Sequence, residues 1–244
     1  TATCTQTVTV IDNQAPTLAN PGNQSLNVLA NTCAADYTIA DPISDNCISS
    51  MWGYSTTGAT TLSSSGNTIT DGTSSGVLSF NKGVTTITLT GTDGSNSASP
   101  VVFTVTVTDN EGPIITCPGN QDVLADCITD SYTVTGTEFD LVSFLDICGT
   151  VSNIYNDYNG LNSLQGETFG LGTTTITWTA LDDAVPPNES TCSFDVIVHQ
   201  YTISGTLKYN NAAKTPLNNV ELTISPAGAN ATSITDGSGN YSFT

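Results

Sequence analysis

Thr7–Leu18 reads TVTVIDNQAPTL and Thr104–Ile115 reads TVTVTDNEGPII, so one segment occurs twice, 97 residues apart. That period is the length of one small domain. The chain is therefore an array of similar modules, and residue 1 lies inside one of them. The alternation of Thr and Val predicts a half-buried strand. Asp-Asn ends it, and a Pro follows three residues after each Asn. Proline cannot donate a ladder hydrogen bond, so the strand stops there and the next module begins.

Thr, Val and Ile dominate the ordered-looking stretches, and β-branched side chains favour pleated sheet over helix. No window carries sustained apolar spacing at i, i+3, i+4 and i+7. Turn pairs such as Asp71-Gly72, Asp93-Gly94 and Asp236-Gly237 separate the apolar runs. The chain is read as all-β, and its 244 residues suffice for two or three small domains. Residues 1–12 read as the final strand of a preceding module, 13–109 as module 1, 110–200 as module 2, and 201–244 as an incomplete third module. Strand signals in module 1 fall at Ser25–Ala30, Asp36–Ala40, Ser50–Ser55, Gly76–Phe80, Thr85–Thr92 and Val101–Thr108. In module 2 they fall at Gln121–Ala125, Ser131–Thr135, Thr150–Tyr155, Thr173–Leu181 and Cys192–His199. The tail alternates over Tyr201–Tyr209 and Val220–Ser225. Trp52 and Trp178 lie on predicted strands and read as core plugs rather than ligand platforms.

The formal charge is −19, from 22 acids against three bases, Lys82, Lys208 and Lys214. So few cations argue against nucleic-acid binding, which needs phosphate neutralisation, and against docking on anionic lipid. The acidity serves solubility and resistance to trypsin-like cleavage, or it is neutralised in part by divalent cations. No apolar run reaches the length of a membrane span.

Aligning Pro21 with Pro118 sets Asn20 opposite Cys117, and aligning Phe103 with Phe194 sets Val101 opposite Cys192. Module 1 thus lacks both cysteines and module 2 has both, as a bonded Cys117–Cys192 pair predicts. Both modules keep the other two, read as Cys33–Cys47 and Cys127–Cys148. Cys4 stands 97 positions before Val101 and is assigned a partner upstream of residue 1. This uses all 7 cysteines and implies an oxidising compartment. No Cys-x-x-Cys occurs, so zinc is not expected.

His199 is the single histidine, and no Ser-His-Asp or Cys-His set can be built around it once the cysteines are paired. Phosphate loops and HExxH are absent from the sequence. Modules this small rarely hold the cleft that two converging carboxylates would need. The chain is therefore read as not an enzyme.

Module 2 opens on Cys117-Pro118 and continues through Asp146-Ile147-Cys148-Gly149. It then carries a Gly172–Asp182 strand reading GTTTITWTALD and a closing Cys192–Val198 strand reading CSFDVIV. This pattern resembles the HYR (hyalin repeat) module. Module 1 keeps Asp45-Asn46-Cys47 and the Gly83–Asp93 strand but lacks the outer cysteines. The resemblance implies tandem Ig-like β-sandwiches in an elongated array, extracellular location and a role in adhesion. The tail, with Ile203–Leu207 and Asp236–Phe243, resembles the opening of a transthyretin-like or B-type repeat. HYR arrays with such tails are similar to segments of Bacteroidetes surface proteins, among them gliding-motility adhesins exported by the type IX route.

The junctions Asp12-Asn13-Gln14 and Asp109-Asn110-Glu111 resemble the Asp-Asn linkers of cadherin-type arrays. That resemblance implies calcium, with Asp12, Asn13, Asp109, Asn110 and Glu111 as junction ligands. Asp45 and Asp146 join them from loops, and Asp93 and Asp182 from strand ends. The alternative is that Asp-Asn makes a turn after a strand. The whole reads as a stalk or filament segment of a secreted, cell-surface adhesin. Its expected partners are neighbouring modules of the same chain and other surface or filament subunits. The second reading is a non-catalytic accessory region of a large secreted enzyme; a lectin-like module ranks third.

Overall fold

The structure is a computed structural model, and it describes residues 3–47, 49–126, 128–224 and 232–243. Every regular element among them is a strand. The chain divides into two compact units. The first comprises Thr1–Glu111 with Ile147–Thr150 and Ala184–Pro186, the second Gly112–Asp146, Val151–Asp183 and Pro187–Thr244.

The first unit carries β1 (Thr17–Leu18), β2 (Gln24–Asn27), β3 (Ala34–Thr38), β4 (Ile43–Ser44), β5 (Met51–Gly58), β6 (Ile69–Thr70), β7 (Val77–Asn81), β8 (Gly83–Thr92) and β9 (Val101–Thr108). The main sheet runs β2-β9-β8-β5-β6, and the pairs β1–β4 and β3–β7 complete the sandwich. β2 joins β9 in parallel, with Gln24 opposite Val105; the other pairings are antiparallel. The alternation read from the sequence sends Thr85, Ile87 and Leu89 of β8 and Phe103, Val105 and Val107 of β9 inward. They pack with Trp52 from β5 and with Ala35, Ile43 and Phe80. Gly53 beside Trp52 is obligatory: a Cβ there would collide with the carbonyl oxygen of Gly66, which the Ser63–Gly66 turn carries against β5.

The second unit repeats this plan. Its strands are β10 (Ile114–Thr116), β11 (Gln121–Leu124), β12 (Ser131–Thr133), β13 (Ser143–Leu145), β14 (Val151–Asn156), β15 (Thr168–Gly170), β16 (Gly172–Asp182) and β17 (Glu189–His199). The sheet runs β11-β17-β16-β14, with β10–β13 and β12–β15 beside it, and β11 lies parallel to β17. Ile176, Trp178, Phe194, Val196 and Val198 pack against Phe139, Leu164 and Phe169. Both tryptophans are fully buried, but they come from different strands, Trp52 from β5 and Trp178 from β16. Each buried indole N–H needs an acceptor. Trp52 donates to the Thr73 carbonyl at 3.1 Å and Trp178 to the Phe139 carbonyl at 3.2 Å.

The short strands β1, β4, β6, β10, β13 and β15 were not foreseen, because two or three residues carry no readable period. Thr3–Ile11, read as the final strand of a preceding module, is exposed and joins no ladder among the described residues. The tail falls within the second unit. There β18 (Ile203–Thr206) pairs with β21 (Asn240–Phe243), and β19 (Glu221–Thr223) with β20 (Thr232–Ile234). Ser225 lies outside the described residues.

Candidate functional site

Strand ends place the acids. β8 delivers Asp93 at its C-terminal end, the loop after β4 delivers Asp45, and Asp12 precedes β1. One carboxylate oxygen from each of Asp12, Asp45 and Asp93 lies within 4.8 Å of the others. All three are half-buried. Asp45 Oδ2 is shielded from solvent and has no hydrogen-bond partner. A buried carboxylate oxygen left without a donor is costly, and a cation would satisfy it.

The surroundings are specific. Asp93 Oδ1 accepts from the backbone N–H groups of Ser95 at 2.7 Å and Asn96 at 2.6 Å, and Oδ2 accepts from Asn96 Nδ2 at 2.9 Å. The Asn96 bonds, then that of Ser95, hold the Asp93 carboxyl below the usual carboxylate range. Its folded pKa is the lower one, so the stability it contributes is present above the unfolded pKa and is lost as pH falls through the folded value. Cys47 stands exposed beside the same acids. A hydrogen bond to Asp12 raises its thiol pKa first, followed by desolvation and the charges of Asp12, Asp45 and Asp93.

In the second unit Asp146 follows β13 and Asp182 ends β16. Their carboxylate oxygens approach within 4.8 Å, and both residues are buried. Asn188 grips Asp182, its backbone N on Oδ1 and its Nδ2 on Oδ2, both at 2.7 Å. Asn188 thus repeats the part of Asn96 on Asp93. Sequence reading missed both asparagines as carboxylate partners; their place in the turn after the strand was the available signal.

At each junction the aspartate side chain closes a turn. Gln14 N donates to Asp12 Oδ1 at 3.1 Å, and Glu111 N to Asp109 Oδ1 at 3.2 Å. Asn13 and Asn110 are exposed. Asp109 is buried and paired with Lys82 Nζ at 3.1 Å, a cation that the sequence did not single out for this role. Glu111 Oε2 accepts from Asn31 N at 3.0 Å. Asp12, Asp45 and Asp93 form one cluster and Asp146 lies with Asp182, while Glu111 bonds Asn31 and Asn13 and Asn110 are exposed.

Among the cysteines, Cys117 is bonded to Cys192, tying the start of the second sandwich to β17. The expected Cys33–Cys47 bridge is corrected. Lys82 N donates to the Cys33 carbonyl at the Gly83 end of β8, whereas Cys47 lies with Asp93 beyond the Thr92 end. The length of β8 separates them, roughly 30 Å at strand rise, against the Cα separation of about 7 Å a disulfide tolerates. Cys33 instead lies against Cys148. Cys127 lies outside the described residues, and Cys4 is exposed. His199 pairs with Asp122 at 2.9 Å on an open surface. Asp236 closes its hairpin by accepting from Ser238 N and Asn240 N.

Two sandwiches of one strand order, each sealed around a buried tryptophan with its acids at strand ends, define a tandem β-sandwich segment. Residues 108–198 match the HYR domain. The chain is 28% identical over 198 residues to hyalin of Strongylocentrotus purpuratus, which covers 80% of this chain and 14% of that protein. It spans about one seventh of the length of that relative. Among solved structures it is similar to Drosophila N-cadherin EC1-4, with a TM-score of 0.35, 16% identity, and 76% of this chain and 50% of that one covered. Human CDH23 EC21-23 gives a TM-score of 0.32 and 14% identity, covering 92% and 80%.

Proposed function

We propose that this chain is a load-bearing spacer of an extracellular adhesion-type protein, with no catalytic role of its own. The observation that carries the reading is the repetition of one strand order around two filled cores. Pulling the ends loads the parallel pairs that join the first sheet strand of each unit to its last, β2–β9 and β11–β17. The HYR match and the similarity to hyalin support an extracellular, adhesive setting. A stalk of a cell-surface adhesin, gliding adhesins included, is the finer form of the same reading. Pulling the chain by its ends tests it. In reductant, which frees the 75 residues that the Cys117–Cys192 bridge otherwise locks, two separate rupture events, each followed by the release of several hundred ångströms of chain, are expected. Extension with no force peak would refute a mechanical role.

Within this reading calcium occupies the Asp12, Asp45 and Asp93 cluster. The ligand set is all oxygen, as a hard cation requires, and the orphaned Asp45 Oδ2 fits it. Binding would cancel the negative potential that raises the Cys47 thiol. A lower thiol pKa leaves more of the reactive thiolate. Calcium added to chelator-stripped protein should therefore raise the melting temperature and accelerate iodoacetamide labelling of Cys47 several-fold. The Asp45→Asn variant should lose both responses. No heat of binding and an unchanged labelling rate would exclude the site.

A further inference from the structure

We infer that Cys33 and Cys148 form a disulfide in the oxidised protein, a covalent link from the first sequence copy to the second. The two thiols lie close enough for Cys33 to act directly on the Cys148 sulphur. Cys148 Sγ also lies 3.1 Å from the Thr32 carbonyl oxygen, so it sits over the backbone that carries Cys33. Lys82 holds both sides in register. Its backbone N donates to the Cys33 carbonyl at 3.0 Å, and its Nζ donates to the Cys148 carbonyl at 2.8 Å. Cys148 packs against the core that contains Trp52 and Phe80, and Ile147–Thr150 groups with the first unit.

The repeat gives this pairing a rule. Cys33 and Cys127 hold equivalent places in the two copies, as do Cys47 and Cys148. A Cys33–Cys148 bond therefore joins the first inner cysteine of one copy to the second inner cysteine of the next. It also accounts for a pattern that pairing within a copy leaves unexplained. Module 1 has lost the outer cysteines, at Asn20 and Val101, yet keeps Cys33 and Cys47 at opposite ends of its sandwich.

Burial first, then the neighbouring Cys33 sulphur and the Asp109 charge, push the Cys148 thiol up to about 12, so the reduced pair is neutral at physiological pH and Cys148 gives up its proton only as the bond forms. The step needs a low-molecular-weight disulfide such as oxidised glutathione. One protein thiolate attacks it, giving a mixed disulfide and one glutathione thiolate. The second protein thiolate then displaces the other glutathione. Two protons leave the protein, its two cysteine sulphurs are oxidised, and one oxidised glutathione becomes two reduced.

The sequence makes the test simple, because its only trypsin sites are Lys82, Lys208 and Lys214. The full chain is equilibrated with a glutathione redox pair, its free thiols are blocked in denaturant, and it is cut with trypsin. Thr1–Lys82 then holds Cys33, and Gly83–Lys208 holds Cys148. The two fragments should migrate together without reductant and apart with it. A second digestion should yield one linked peptide pair containing Cys33 and Cys148, whatever the folding of any variant. Cys148→Ala should abolish the link, and Cys127→Ala should leave it intact. Fragments that separate without reductant, or a link that persists in Cys148→Ala, would overturn the assignment.

Discussion

Replacing Trp178 with alanine should cost the second unit about 4 kcal/mol, within the range for truncating a large buried aromatic. The indole is fully buried among Phe139, Phe169 and Phe194, and its N–H is spent on the Phe139 carbonyl. Alanine opens a cavity in a close-packed interior and leaves that carbonyl without its donor. A loss this large approaches the whole stability of a small domain. Circular dichroism should report unfolding at markedly lower denaturant, while Trp52 fluorescence keeps the midpoint of the first unit. A variant within 1 kcal/mol of the parent would show that Trp178 is not the centre of its core.

Removal of the Cys117–Cys192 bond is the other change of comparable size. The two cysteines are 75 residues apart, and in the chain-entropy model closing such a loop stabilises by roughly 4 kcal/mol. The bond clamps the residue before Pro118 to Cys192, which pairs with Trp178 in the β16–β17 ladder. The double variant Cys117→Ala with Cys192→Ala should lower the denaturant midpoint of the second unit by an amount equivalent to that energy. The first unit has Asn20 and Val101 at the matching places and folds without such a bond. An unchanged midpoint would mean the crosslink stabilises little beyond what the core supplies.

Long strands were legible because eight to ten residues of alternation show which face is buried, as in β8 and β9. The Cys117–Cys192 pair was legible from the joint absence of both partners in the other copy. The carboxylates at strand ends were legible as turn residues with spare oxygens. The β1–β4 and β10–β13 ladders were not, since two or three residues show no period and their pairing is set by tertiary packing. Cys33 and Cys47 misled because counting cysteines within a repeat assumes each copy is closed on itself. Which end of a sandwich a loop occupies depends on strand direction, and spacing along the chain does not carry that information. Asn96 and Asn188 escaped for a similar reason: their role follows from the turn that folds them back onto Asp93 and Asp182.

One tryptophan in each sandwich makes the central claim, two separately cored copies of one fold, open to direct measurement. Denaturant unfolding is followed by fluorescence in Trp52→Phe and in Trp178→Phe, each with and without the Cys117→Ala and Cys192→Ala changes. The account predicts that loss of the bridge moves the transition seen by Trp178 and leaves the transition seen by Trp52 in place. A single transition common to both tryptophans, shifting as one when the bridge is removed, would contradict it.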